Sequence, residues 1–166
     1  MELERAFLPY AARALIEADI PAIMNLYSGN PEYFLHCPPS PSRETVKNDL
    51  LALPPGKEQT DKHFLGIFDG ASLVAVMDLI ERYPDEQIAL LGLLMVSKGR
   101  QGNGLGSFLV NALSDSLREN GYTRLRLGYV KTNRSAQRFW THHGFSATGA
   151  EAAKAHASIT IAEKLL

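Results

Sequence analysis

A chain with one cysteine, Cys37, has no internal disulfide framework and no CxxC pair with which to hold a metal. Long hydrophobic runs are missing too: none approaches the ~20 residues that a membrane-spanning helix requires. The opening Met1-Glu2-Leu3-Glu4 is acidic where a secretory leader is basic, so a cytoplasmic protein away from membranes is expected. Charge of one sign is scarce. Seventeen Lys and Arg face eighteen Asp and Glu, a net of −1, which excludes a chain that coats nucleic acid through bulk charge. No internal repeat and no low-complexity stretch interrupts the pattern. What is present is 166 residues, 45% hydrophobic and 21% charged. A chain of that length buries roughly two thirds of its unfolded surface, enough for one α/β domain over residues 1–166 without disulfide or metal.

Ile20, Ile23, Met24 and Tyr27 recur at helical spacing after Asp19, an N-cap residue type, and the run stops at Ser28-Gly29-Asn30-Pro31. A stretch dense in proline and aromatics follows, from Tyr33-Phe34-Leu35-His36-Cys37 to Pro38-Pro39. Ser40-Pro41 offers a second N-cap with proline at the first helical position, for a helix that turns Val46, Leu50, Leu51 and Leu53 inward and ends before Pro54. Residues 63–68 and 72–80 flank Asp69-Gly70, a hairpin turn signal. Residues 88–96 are apolar without alternation, the pattern of a central strand covered on both faces. Gly92 inside that run marks a bulge or a close backbone approach. An amphipathic helix through Phe108, Leu109, Ala112, Leu113, Ser116 and Leu117 ends at Asn120-Gly121. Residues 124–130 read as a strand, 133–143 as a helix closed by Gly144, and 158–162 as a last strand.

Between the apolar strand and the amphipathic helix stands Arg100-Gln101-Gly102-Asn103-Gly104-Leu105-Gly106-Ser107. A glycine-rich turn from a buried strand into a helix N-terminus lets backbone N–H groups converge, and the helix dipole adds to them, so it suits a phosphate. The same turn also serves as a plain tight connection. Two familiar phosphate loops fail on spacing. A Walker loop ends in Gly-Lys-Ser/Thr, and Leu105-Gly106-Ser107 has no lysine. A dinucleotide fingerprint has G-x-G-x-x-G and an acidic residue ~20 positions on, whereas the register here is G-x-G-x-G and residue 126 is arginine.

The pattern Q/R-x-x-G-x-G/A is met by Gln101 to Gly106. One helix and one strand later comes Asn133-x-x-Ala136-x-x-Phe139-Trp140-x-x-x-Gly144-Phe145. In that order the two blocks resemble the GNAT superfamily of acyl-CoA-dependent N-acetyltransferases. The resemblance is close over roughly residues 88–146, and the order of elements extends it over most of the chain. It implies a mixed α/β (α+β) fold: a central, mostly antiparallel sheet with splayed parallel strands, flanked by helices. It also implies acetyl-CoA as co-substrate. Backbone N–H groups of Gln101, Gly102, Asn103, Gly104, Leu105 and Gly106, with the Ser107 hydroxyl, would then hold the pyrophosphate. Leu94, Met95 and Val96 on the splayed strand would pair with the pantetheine amides, Gly92 easing the distortion. Asn133 would contact the cofactor from the next helix. Phe139 would pack beside the pantetheine arm, unless it belongs to the core.

Amide formation from a thioester needs a neutral amine, whose ordinary pKa is ~10, a polarised carbonyl, and a proton for the leaving thiolate. The resemblance implies direct attack within a ternary complex, so Cys37 is not required as a nucleophile and reads as a small semi-buried side chain. A backbone N–H near Met95 or Val96 suits the oxyanion. Many family members carry a tyrosine four residues after the motif alanine. This chain has Trp140 there, whose indole donates a hydrogen bond but no proton. Trp140 therefore reads as packing, with Tyr129 or solvent as the acid. Asp78 and Glu81 lie near the end of the second hairpin strand, where the resemblance implies a carboxylate, and are the candidate general bases; a solvated edge and a turn charge are their structural alternatives. The resemblance also implies an acceptor wall in the aromatic stretch of Tyr33, Phe34 and His36, with a plain structural role as the alternative. His142 and His143 have no cysteine or carboxylate pair at ligand spacing, so no metal is expected.

The function expected is acetyl transfer to the primary amine of a small molecule. A protein or peptide N-acetyltransferase is the alternative within enzymes, and a catalytically weak CoA-binding regulatory module is the alternative that Trp140 raises. Pairing of apolar edge strands, common in the family, would make a homodimer; neither nucleic acid nor membrane is expected as partner. The small net charge hides a split. Residues 98–138 hold eight Lys and Arg against Asp115 and Glu119, while residues 1–97 hold seven against fourteen acids. A basic half with the loop suits an anionic cofactor, and an acidic half suits a cationic amine.

Overall fold

Strands β1 (Ala11–Ala14), β2 (Lys62–Asp69), β3 (Ser72–Ile80), β4 (Ile88–Val96), β5 (Arg124–Val130), β6 (Ser146–Lys154) and β7 (Ala157–Leu165) share one sheet. Its order is β1-β2-β3-β4-β5-β7-β6, and of the neighbouring pairs only β4 with β5 runs parallel. The computed structural model describes residues 3–154 and 157–166, so the acidic Met1-Glu2 opening lies outside the described residues. Helices α1 (Ile20–Ser28), α2 (Pro31–His36) and α3 (Arg43–Leu51) cover one face, where Ile20, Ile23, Tyr27 and Val46 pack on Phe64, Val76 and Met95. Helices α4 (Leu105–Glu119) and α5 (Arg134–His142) cover the other. There Leu109, Leu113 and Leu117 meet Met77, Leu79, Leu91, Leu125 and Leu127. Alternation along β3 sends Val76 to one layer and Met77 to the other.

The hairpin, the central apolar strand and the two C-terminal helices fall where the sequence places them. Three elements do not announce themselves. β1 is Ala-Ala-Arg-Ala, too short to show alternation, and α2 lies within the proline and aromatic stretch. β6 is a run of small residues exposed from Ser146 to Ala153, so it has no buried face to pattern. The helix expected from Ser40-Pro41 starts later, at Arg43. Ser42 and Thr45 satisfy each other's backbone N–H groups at 3.1 and 2.8 Å, and this reciprocal box outcompetes the proline start. Leu51 is consequently exposed, and Leu53 lies beyond the helix. Asp19 does precede α1, but its carboxylate accepts from Arg13 and from the Ile16 N–H rather than capping the helix.

The feature that positions the site is the short parallel pairing. β4 and β5 share four rungs, from Ile88↔Arg124 to Leu91↔Leu127. Past that point β4 stays bound to β3 as far as Val96↔Ala75, and β5 stays bound to β7 as far as Val130↔Ile159. The two strands therefore part in a V. At its apex the β3–β4 register jumps from Asp78↔Leu93 to Leu79↔Leu91, leaving Gly92 as an extra residue. Such a bulge bends its strand and increases the local twist, which turns the end of β4 away from β5.

Candidate active site

The opened edge of β4 offers unpaired backbone. Ser97 N–H donates to Val74 on β3 at 2.8 Å, and Met95 stands opposite Val76 in the same ladder. Strand alternation then turns the N–H and C=O groups of Leu94 and Val96 toward the gap. Met95, expected as a partner for pantetheine, instead has its backbone in the β3 ladder and its side chain buried against Val76. The backbone groups of Leu94 and Val96 do face the gap, whereas the N–H of Met95 does not.

Beyond Val96 the chain enters a turn over residues 98–100 and then the glycine-rich loop into α4. Gly102 and Gly104 adopt φ of +77° and +83°, a region costly for residues with a Cβ, and a Cβ at either would meet nothing within 4 Å. Gly104 is the N-cap of α4 and provides no capping side chain. The N–H groups of Leu105, Gly106 and Ser107 thus lack helical partners and point, with the helix dipole, out of the loop. That cradle fits a pyrophosphate. Gln101 departs from expectation: its N–H closes the preceding turn onto Lys98 O at 3.3 Å. Its side chain donates to Asn30 Oδ1 at 2.6 Å and to Val96 O at 2.9 Å. Phe139 lies against the loop, since a Cβ on Gly106 would come within 3.3 Å of its ring. Asn133 caps α5, its Oδ1 accepting the Ala136 N–H at 3.0 Å, so its Nδ2 is what remains for a cofactor.

Asp78 occupies the apex of the V on the α1–α3 face. Its Oδ2 stands 2.9 Å from where a Cβ of Gly92 would be, filling the place of the missing side chain. Its Oδ1 is 2.8 Å from Lys62 Nζ, an ion pair outside hydrogen-bonding geometry, and Lys62 also donates to Ala52 O at the end of α3. The Lys62 side chain is 1% exposed and that of Asp78 16%. Burial pushes the Asp78 carboxyl above the usual carboxylate range; Lys62 pulls against this and the negative charge of Asp49 adds to it. The Tyr27 hydroxyl donates to Asp49 at 3.0 Å. Burial first, then Asp49, raises its pKa and keeps it a phenol. Tyr33 is likewise raised, by burial and by Cys37. Tyr33 and Phe34 pack edge-on at 5.1 Å against the Tyr27 layer. His36 lines a cavity of about 300 Å³ with Val130, Thr132 and Ser158, between α2 and the ends of β5 and β7.

Two expected residues stand elsewhere. Glu81 follows β3 at the end of the sheet where β4 begins, so β4's nine residues, roughly 30 Å of strand, separate it from the loop. It accepts from Tyr122 at 2.9 Å and meets His63 Nε2 at 2.6 Å. Burial alone would raise its pKa, but these two bonds outweigh burial and hold it below the usual range. Its contribution to stability is therefore present above the unfolded carboxylate pKa and lost as pH falls through the depressed folded value. Glu81→Gln is expected to cost about 1–3 kcal/mol, read as a lower Tm that converges with wild type in acid, while kcat/KM stays near wild type. Tyr129 alternates with Leu125 and Leu127 and packs on the α4–α5 side of β5, across the sheet from Asp78. Trp140 sits edge-on between Phe139 and Phe145, at 4.8 and 5.3 Å, as packing. Lys62 and Asn30 escaped the sequence reading. A lysine in phase with Phe64 on a buried strand face, and an asparagine between glycine and proline, were the available signals.

A parting β4–β5 pair, an uncapped glycine loop between β4 and α4, and a carboxylate at the bulge form one arrangement. Residues 20–145 match the family model described as the acetyltransferase (GNAT) family. The chain belongs to the GNAT family. As a GNAT acetyltransferase it takes its acyl group from acyl-CoA, for which the cradle and the open edge are the fitting parts. Solved structures share the fold. An acetyltransferase from Thermus thermophilus aligns at TM-score 0.77 and 24% identity, over 96% of this chain and 99% of that one. The PaiA N-acetyltransferase from Thermoplasma acidophilum, in complex with coenzyme A, aligns at 0.68 and 16%, over 96% and 100%. The ribosomal-protein-S18-alanine N-acetyltransferase from Escherichia coli aligns at 0.67 and 16%, over 94% and 93%. Among proteins of curated function there is no match. Within the described residues, no helix is long and apolar enough to cross a membrane.

Proposed function

We propose that this GNAT enzyme acetylates the primary amine of a small molecule, using acetyl-CoA in a ternary complex, with Asp78 as general base. The observation that carries the reading is the Asp78 carboxylate at the apex of the V, on the face opposite α4. An amine arriving from the α1–α3 side gives its proton to Asp78, directly or through water. Its nitrogen lone pair then attacks the thioester carbonyl carbon, and the oxyanion is met by the Val96 N–H on the open edge. The C–S bond breaks, the nitrogen gives its second proton to solvent as the amide forms, the thiolate takes a proton from solvent, and Asp78 returns its proton to water.

Thiol release from acetyl-CoA with a panel of small primary amines, peptide N-termini and lysine peptides tests this. Turnover is expected with small amines. Turnover with peptides alone would assign a protein substrate instead. Thermal stabilisation by acetyl-CoA with no thiol release for any amine would leave a CoA-binding module.

A further inference from the structure

We propose that Gln101 is a positioning residue that couples occupancy of the acyl-CoA cleft to the order of the acceptor wall. Both amide hydrogens of Gln101 are engaged, one by Val96 O and one by Asn30 Oδ1. The first acceptor is the carbonyl that alternation turns into the V, where a donor's amides would pair. The second belongs to a residue 6% exposed at the corner between α1 and α2. Asn30 is itself built into that corner. Its Nδ2 donates to Leu26 O at 2.9 Å, its N–H to Tyr27 O at 2.9 Å, and its carbonyl accepts the Tyr33 N–H at 3.1 Å. One further link is Lys98 on Glu32 at 2.9 Å, an exposed pair that adds little by itself. Continuous hydrogen bonds therefore run from the open edge of β4, through Gln101 and Asn30, to the helix bearing Tyr33, Phe34 and His36. A carbonyl has two lone pairs, so Val96 O can accept from Gln101 and from a donor amide together. Fixing Val96 fixes Gln101, and Gln101 fixes the corner. The coupling is reciprocal by linkage: an acceptor that orders the corner tightens acyl-CoA by the same factor.

The inference rests on the acyl-CoA site but not on any acceptor, so coenzyme A alone is the probe. Hydrogen exchange is compared with and without CoA in wild type, Gln101→Leu and Gln101→Arg. In wild type, CoA is expected to slow exchange at residues 97–107 and, about fivefold or more, at residues 30–36. Gln101→Leu keeps the first protection and loses the second. Gln101→Arg, which presents only donors to the same two acceptors, restores it. A merely structural role would shift residues 30–36 equally with and without CoA. Equal CoA-dependent protection of 30–36 in wild type and Gln101→Leu overturns the coupling, as does wild-type protection confined to 97–107. Absence of protection at 97–107 in wild type would instead sink the acyl-CoA site together with the coupling.

Discussion

Asp78→Asn is expected to lower kcat/KM by about 10²- to 10⁴-fold, the range for losing a general base, while the CoA dissociation constant stays unchanged. Asparagine keeps the shape beside Gly92 but accepts no proton. The pH profile separates this from a packing defect. Burial, only partly opposed by Lys62, lifts the Asp78 carboxyl above the usual carboxylate range. The wild-type kcat/KM is therefore expected to rise with pH along a limb that starts above that range, and the limb vanishes in Asp78→Asn. A retained limb would move the base elsewhere. Stability falls at the same time, because Lys62 is buried against Asp78 and loses its counter-charge. Kinetics are accordingly measured well below the variant's Tm.

Gly104→Asp is expected to raise the dissociation constant for acetyl-CoA tenfold or more, equivalent to at least ~1.4 kcal/mol. Volume is not the cause, since a Cβ there meets nothing within 4 Å. Two other effects act. At φ +83° a side chain costs up to ~1–2 kcal/mol of backbone energy, and a carboxylate at the N-cap of α4 competes with the pyrophosphate for the same N–H groups. Gly104→Ala isolates the first effect and is expected to weaken binding less. A carboxylate at the N-cap of α4 offsets part of that backbone cost, so the loss of binding is expected to exceed any loss of stability. Unchanged affinity in Gly104→Asp would remove the loop from the donor site.

Most of the donor half was legible in the sequence, because its elements are local. A nine-residue apolar strand, a glycine loop and an amphipathic helix are contiguous in the chain, and each declares itself by periodicity or by the conformations glycine permits. Gly92 was readable as a bulge for the same reason, and Asp78 as a carboxylate near the end of the second hairpin strand. The acceptor half assembles from residues remote in sequence. Gln101 meets Asn30 across 71 positions, and Tyr27 meets Asp49 across 22. No local pattern encodes such pairs. Glu81 shows the opposite hazard. It stands three residues from Asp78 in the chain, yet those few extended residues carry it away from the V and into the company of His63 and Tyr122.

Sheets ordinarily expose unpaired backbone only at their outer margins. Here those are β1, four residues long, and β6. The V gives this sheet a third margin in its middle, where Leu94 and Val96 present strand-pairing groups between two walls. A free strand margin is a template for self-association, and the stretch from Leu93 to Val96 has no charge or proline to blunt it, since either would also bar the substrate. A co-substrate paired along this margin would cover the template and add its binding energy to the folded state.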